Sequence, residues 1–348
     1  MKTLVFSAKA AERGGIEIFA ERQVATMREA GRDVVFADAP PADLSAYGEI
    51  FVHKCPDVAV LERFPPDKTT LYVHDHDAIC PRSYAYTPLC RNCRRRSGIL
   101  PCIFCAPLCK HPRAALGRVL SQSRRKAAMA KARRIVVLSE FMKGRLVANG
   151  IPAEKISVEP PAIHAPASAA GKPDVDMLFA GQLIRGKGLQ LLLRAMARME
   201  TPRTLDVVGT GNMEARLKAL AARLGVAGRV RWHGYRQDVG DWMRAASCVV
   251  VPSFWQEPYG LVAAEAVALG RPVVAFAIGG LPEACAGGSA VLVPPGDVAA
   301  LARALDGKAH GVPRNPRHPR NPRNPRSPRS PGRVSAAPAA SKNSAPSA

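Results

Sequence analysis

Two carboxylates eight positions apart, Glu257 and Glu265, stand in the run Ser253-Phe-Trp-Gln-Glu-Pro-Tyr-Gly-Leu-Val-Ala-Ala-Glu-Ala-Val-Ala-Leu-Gly-Arg-Pro272. Ionised carboxylates accept hydrogen bonds from hydroxyls without needing a metal. Gly260 frees the backbone at a junction, and Leu261 to Leu269 have the length for about two and a half turns of helix. Gly270 and Pro272 end that helix before the apolar run Val273-Val-Ala-Phe276. Glu257 therefore precedes the helix and Glu265 lies within it. The unpaired N–H groups at the helix start, by Gly260 and Leu261, offer partial positive charge to a diphosphate. The chemistry this pattern predicts is the holding of a hydroxyl-rich molecule that carries a diphosphate. Two surface acids on a strand–loop–helix is the plainer reading of the spacing alone, and the flanking residues weigh against it.

The elements that would position these groups follow from the apolar runs. Thr3 to Phe6, Val34 to Phe36, Ile50 to Val52, Leu71 to Val73 and Ile135 to Leu138 read as strands of a first unit. Met177 to Ala180, Leu205 to Val208, Val230 to Trp232, Cys248 to Val251, Val273 to Phe276 and Val291 to Val293 read as strands of a second, alternating with helices such as Leu189 to Met199 and Met213 to Leu224. Strands that alternate with helices imply parallel sheets covered on both faces. The fold class is α/β, with two Rossmann-like, doubly wound parallel-sheet domains. Residues 1–164 form the first domain, with a Cys-rich insertion at 80–109, and 175–307 the second. A linker at 165–174 falls in the Pro-, Ala- and Gly-rich stretch Pro160 to Pro173. Ligands of such sheets bind beyond the carboxyl ends of the strands, so two facing sheets put a site in the cleft between them.

The Glu257 to Glu265 segment resembles the Glu-x7-Glu signature of retaining glycosyltransferases of the two-domain GT-B fold, in particular family 4. That resemblance spans residues 1 to about 305 and implies transfer of a hexosyl or N-acetylhexosaminyl group from a nucleoside diphosphate sugar. The acceptor would be a glycan or a lipid-linked hydroxyl in surface polysaccharide synthesis. It also implies that Glu257 orients donor-sugar hydroxyls and Glu265 binds ribose. In Ala180-Gly-Gln-Leu-Ile-Arg-Gly-Lys-Gly188, Lys187 falls on the family lysine that neutralises the donor phosphates. Gln182 stands where the family has arginine. Either Arg185 supplies the second charge, or phosphate stabilisation relies on Lys187 and helix N–H groups. Gly209, in Val207-Val-Gly-Thr-Gly211, resembles a family turn that brings backbone close to the nucleotide. Trp232-His-Gly-Tyr-Arg-Gln-Asp238 resembles a segment near the base. Gly14 and Gly15, after the first strand, match a family loop that lies against donor phosphates or acceptor, with a plain helix cap as the other reading. His74 aligns with a family histidine facing the donor sugar, whereas His53 and His76 read as structural. The Asp75-His-Asp77 triplet has the form that another fold uses to hold a metal. The family resemblance sets it aside, and no catalytic metal is expected.

Four cysteines, Cys90-x2-Cys93-x8-Cys102-x2-Cys105, have the spacing of a closed tetrahedral thiolate site, a structural zinc that would shape the acceptor rim. Free or disulfide-forming thiols are the alternative, and a cytoplasmic chain disfavours persistent disulfides. The opening Met1-Lys-Thr-Leu-Val-Phe-Ser7 reads as a strand rather than a secretory signal. The expectation is a cytoplasmic protein, with peripheral contact at the inner face of the cell membrane as an option.

Net charge is +22, and residues 308–348 hold nine Lys or Arg and no acid, so the remaining 307 residues carry 41 basic against 28 acidic groups, or +13. Such a balance suits anionic partners: nucleotide diphosphates, lipid-linked phosphates, a membrane surface or nucleic acid. Arg113 to Arg134 reads as a basic helix, either a solvated face or one suited to an anionic membrane. From Gly311 an Arg-Pro repeat cannot build a core and predicts a disordered tail over 308–348. Family members carry further helices here, so the tail reads either as a natural basic extension or as a truncated or frame-shifted terminus. The competing function is an inactive GT-B scaffold whose zinc knuckle and tail bind nucleic acid or anionic lipid. No aromatic stacking surface accompanies the tail, and no specific nucleic acid is expected.

Overall fold

The computed structural model describes residues 2–8, 15–55, 57–80, 92–93, 97, 102–105, 112–161, 163 and 175–307. Gly14, Cys90, the linker 165–174 and the tail 308–348 lie outside the described residues. The first half comprises β1 (Thr3–Ser7), α1 (Gly15–Glu29), β2 (Val34–Ala37), β3 (Glu49–Lys54), α2 (Val58–Leu61), β4 (Thr69–Val73), α3 (Pro112–Lys131), β5 (Arg134–Val137), α4 (Glu140–Ala148) and β6 (Ile156–Val158). Its strands form one parallel sheet in the order β2-β1-β3-β4-β5-β6. Leu4, Phe6, Ile50, Val52, Leu71 and Ile135 pack from one face under α3 and α4. Val5 packs from the other against Ala20 and Val24 of α1. The alternation of side chains along a strand thus serves two covered faces, which is why these strands read as nearly continuous apolar runs.

The second half comprises β7 (Val175–Ala180), α5 (Leu189–Met196), β8 (Leu205–Val208), α6 (Glu214–Arg223), β9 (Val230–Trp232), α7 (Val239–Ala245), β10 (Ala246–Val251), α8 (Leu261–Ala268), β11 (Val273–Phe276), α9 (Leu281–Ala284), β12 (Ala290–Val293) and α10 (Val298–Leu305). The parallel order is β12-β11-β10-β7-β8-β9. Read from the other edge, this is the arrangement in which the chain reverses direction across the sheet between the first and fourth strands, here β7 and β10. The connections leaving those two neighbours part to opposite faces and open a crevice at their carboxyl ends. The Gly181–Gly188 turn follows β7, and the Ser253–Gly260 loop follows β10. Topology therefore brings together segments that are about 70 residues apart.

Two details differ from the sequence expectation. A sixth strand, β6, completes the first sheet beside β5. The basic helix ends at Lys131, and Arg134 belongs to β5, where it pairs with Glu159. Among the described residues no helix is long and apolar enough to cross a membrane.

Candidate active site

Glu257 is buried to 5% exposure, and its Oε1 accepts three hydrogen bonds of 2.7 Å, from Lys187 Nζ, Ser253 Oγ and Trp255 Nε1. Burial works to raise the Glu257 pKa. The Lys187 ammonium and the three donors outweigh it and hold the carboxyl below its ordinary value. Lys187 lies over the Trp255 ring, 5.3 Å from its centroid. Its ammonium carries three N–H donors, so the bond to Glu257 leaves capacity for an incoming phosphate oxygen.

The two loops are locked together through glycine. Gly188 has φ +77°, and a Cβ there would lie 1.7 Å from the Pro252 carbonyl oxygen. The Gly186 carbonyl accepts the Phe254 N–H at 3.1 Å. Gly260 caps α8 with φ +111°. Gly209, from the next crossover, has φ +136°, and a Cβ there would lie 2.0 Å from the Gly181 carbonyl oxygen. Gln182 and Arg185 are exposed on the turn after β7.

Across the cleft, a Cβ at Gly15, the first residue of α1, would stand 3.4 Å from Leu261 Cδ1 at the start of α8. The N-termini of α1 and α8 thus approach one another, and both present unpaired backbone N–H groups. Glu265, half-buried on α8, stands 4.0 Å from Arg22 Nη1 of α1. Burial raises the Glu265 pKa and the Arg22 guanidinium opposes it.

His74 sits inside a network of the first domain. Gln23 Nε2 donates to the Tyr72 hydroxyl at 2.8 Å, so its Oε1 accepts from His53 Nε2 at 2.6 Å. His53 Nδ1 is then the acceptor for His74 Nε2 at 2.9 Å. The His74 ring also packs edge-on against Phe19 of α1. Sequence reasoning treated His76 as structural, yet it reaches the second domain: its Nε2 bonds the Gln256 carbonyl at 2.7 Å. A lone histidine carries no spacing signal that would have revealed this.

These buried imidazoles set a pH dependence. Burial lowers His53 well below its ordinary value and lowers His74 and His76 to about 4. Each unfolded imidazole takes a proton below about pH 6.5. The stability that the three contribute is complete above that value and is lost as pH falls towards 4. Asp75, raised to about 7 by burial and the neighbouring Asp77 carboxylate, has the opposite sign: its contribution is complete below 3.8 and lost as pH rises through 7. Three histidines against one aspartate predict a melting temperature that falls between pH 7 and pH 5, and falls less in His76→Gln. A flat profile in differential scanning fluorimetry would refute the assignment.

Cys93, Cys102 and Cys105 are half-buried. Among the described residues no group of three or more His, Cys, Asp or Glu is gathered closely enough to hold a metal ion. That includes these three cysteines and the Asp75–Asp77 pair.

Residues 174–307 match the family of glycosyl transferases group 1. The matched stretch contains Lys187, Glu257 and Glu265, whereas Gly15, Arg22, His74 and His76 lie outside it. The D-inositol 3-phosphate glycosyltransferase of Streptomyces avermitilis is 44% identical over 143 residues, covering 37% of this chain and 31% of that protein. The corresponding enzyme of Xylanimonas cellulosilytica is 45% identical over 111 residues, covering 30% and 26%. The matches thus span between a quarter and a third of the length of these curated relatives. The fold extends further: Anabaena HepE in complex with UDP-glucose superposes with TM-score 0.62 at 19% identity, over 88% of this chain and 89% of that one. Sucrose-phosphate synthase from Thermosynechococcus elongatus gives the same TM-score, identity and coverage. The two sheets together make the GT-B fold that the sequence resemblance implied.

Proposed function

We propose that the chain is a retaining glycosyltransferase that moves a hexosyl or N-acetylhexosaminyl group from a nucleoside diphosphate sugar to a hydroxyl of a glycan or lipid-linked acceptor. The observation that carries this reading is the Lys187–Glu257 pair, set at the point where the second sheet reverses direction, in a domain whose α8 start meets the start of α1. In this mechanism Lys187 and the helix N–H groups stabilise the departing diphosphate. Glu257 accepts from donor-sugar hydroxyls through Oε2, since the three internal bonds fall on Oε1. Glu265 accepts from ribose, and the acceptor oxygen attacks from the face that the diphosphate leaves. HepE, solved with UDP and with UDP-glucose, makes uridine nucleotides the first donors to try.

The test is release of UDP from UDP-glucose, in water alone and with candidate glycan acceptors, by wild type and Glu257→Gln. The variant should keep UDP affinity and lose roughly 100-fold in turnover, the scale of one displaced transition-state contact. Equal turnover would remove Glu257 from the mechanism.

The acceptor side of the reading includes contact with an anionic membrane at the inner face of the cell. Arg113, Leu116, Leu120, Arg124, Ala127 and Lys131 recur every three or four residues along α3, and all are exposed, Leu120 to 58%. Arg124 shares its charge with Glu62. A helix face with apolar centre and basic flanks suits lipid headgroups. Sedimentation with phosphatidylglycerol vesicles should drop at least several-fold in Leu116→Ser/Leu120→Ser, and unchanged sedimentation would exclude this face.

A further inference from the structure

The segment that carries Glu257 is held from outside its own domain, at regular intervals. Asn92 Nδ2, from the Cys-rich insertion, donates to the Phe254 carbonyl at 2.9 Å. His76 Nε2 donates to the Gln256 carbonyl at 2.7 Å. The Ser139 hydroxyl donates to the Pro258 carbonyl while it caps α4 by accepting the Met142 N–H. The carbonyls at 254, 256 and 258 therefore all bond to the first domain. The intervening Glu257 carbonyl points the other way and accepts the Gly280 N–H of the second domain at 2.8 Å. The Gln256 side chain returns a bond to the first domain, its Nε2 donating to the Cys93 carbonyl at 3.0 Å. The loop lies between the two domains and is hydrogen-bonded to both.

We propose that His76 and Asn92 are positioning residues for the donor sugar: by holding the carbonyls of Gln256 and Phe254, they fix the path of the loop just before Glu257 and with it the direction of the Glu257 carboxylate. This rests on the reading that Glu257 binds donor-sugar hydroxyls. It gives the Cys-rich segment a role on the donor side of the cleft. The carbonyl can only accept, so His76 carries its proton on Nε2, and its Nδ1 is buried with no partner among the described residues. Burial keeps the ring neutral, with a pKa near 4, so the bond persists throughout the neutral range. Residues 75 and 77 beside it are the carboxylates Asp75 and Asp77. Gln122 of α3 fixes the following turn by donating to the Ala78 carbonyl at 2.8 Å.

The experiment is calorimetric titration of UDP and of UDP-glucose, with GDP and GDP-mannose as the second pair, on wild type, His76→Met, His76→Gln and Asn92→Ala. The sugar should add affinity in wild type. In His76→Met the UDP affinity should stay within about twofold, and the sugar nucleotide should bind about tenfold more weakly, the size of one lost buried hydrogen bond. His76→Gln, which keeps an N–H at similar reach, should restore it. Asn92→Ala should show the same split, and it keeps the test open if His76→Met does not fold. Parallel losses of UDP and UDP-glucose without rescue by glutamine would mark a merely structural histidine and overturn the proposal. So would unchanged sugar-nucleotide binding in His76→Met and Asn92→Ala. A folded wild type that binds no nucleotide would remove the reading of the site, and this inference with it.

Discussion

Lys187→Met will destabilise the protein and abolish most of its affinity for a sugar nucleotide. Methionine keeps the hydrocarbon bulk of lysine without the ammonium, so the Glu257 carboxylate stays buried with only Ser253 and Trp255 as donors. Removing one partner of a buried ion pair costs about 3–5 kcal/mol. Because the Lys187 side chain keeps 26% exposure against 7% for Glu257, the low end, about 3 kcal/mol, is expected. The pH dependence is diagnostic. In wild type the Glu257 pKa lies below its ordinary value, so its contribution to stability is present above that value and fades as acid protonates the carboxylate. Without Lys187, only the Ser253 and Trp255 hydrogen bonds oppose burial, so the carboxyl pKa rises and this contribution shrinks. The melting temperatures of wild type and variant should therefore differ most near neutrality and converge towards pH 4. Parallel curves would mean that Lys187 does not govern the charge of Glu257.

Gly188→Ala should be as damaging through sterics alone. The added Cβ would lie 1.7 Å from the Pro252 carbonyl oxygen, and the backbone has φ +77°, which L side chains avoid. The opposing atom is backbone, so no side-chain rotation relieves the overlap. The turn after β7 must move away from the loop after β10, which separates Lys187 from Glu257. We expect at least a 100-fold loss of nucleotide-sugar affinity, about 3 kcal/mol, or no soluble protein. Gly225→Ala is the control: its φ is +69° with nothing within 4 Å of the added atom, so it should cost only about 1 kcal/mol and leave binding intact. Equal behaviour of the two variants would show that the clash at Gly188 is not what matters.

Much of the scaffold was legible because parallel strands covered on both faces announce themselves as apolar runs. Eleven of the twelve strands among the described residues overlap those runs, and α8 ends one residue before the expected stop at Leu269. The sixth strand of the first sheet escaped because Ile156-Ser-Val158 is short and stands at the sheet edge beyond β5. Arg134 was absorbed into a basic helix because charge gives no periodicity of its own. Glu257, Lys187 and Glu265 were readable as individual residues from their motifs. Their mutual geometry was not, since Lys187 meets Glu257 only because β7 and β10 are neighbours. His76 and Asn92 were invisible for the same reason: what matters is the carbonyl each one reaches in another domain.

The measurement that bears most directly on the central claim is calorimetric titration of the purified chain with UDP, GDP and ADP, repeated on Glu265→Ala. Binding of one nucleotide, weakened about tenfold when the ribose-facing carboxylate is removed, is the predicted result. A folded protein that binds none of the three, or binds one equally well without Glu265, would contradict the assignment of this cleft as a nucleotide-sugar site.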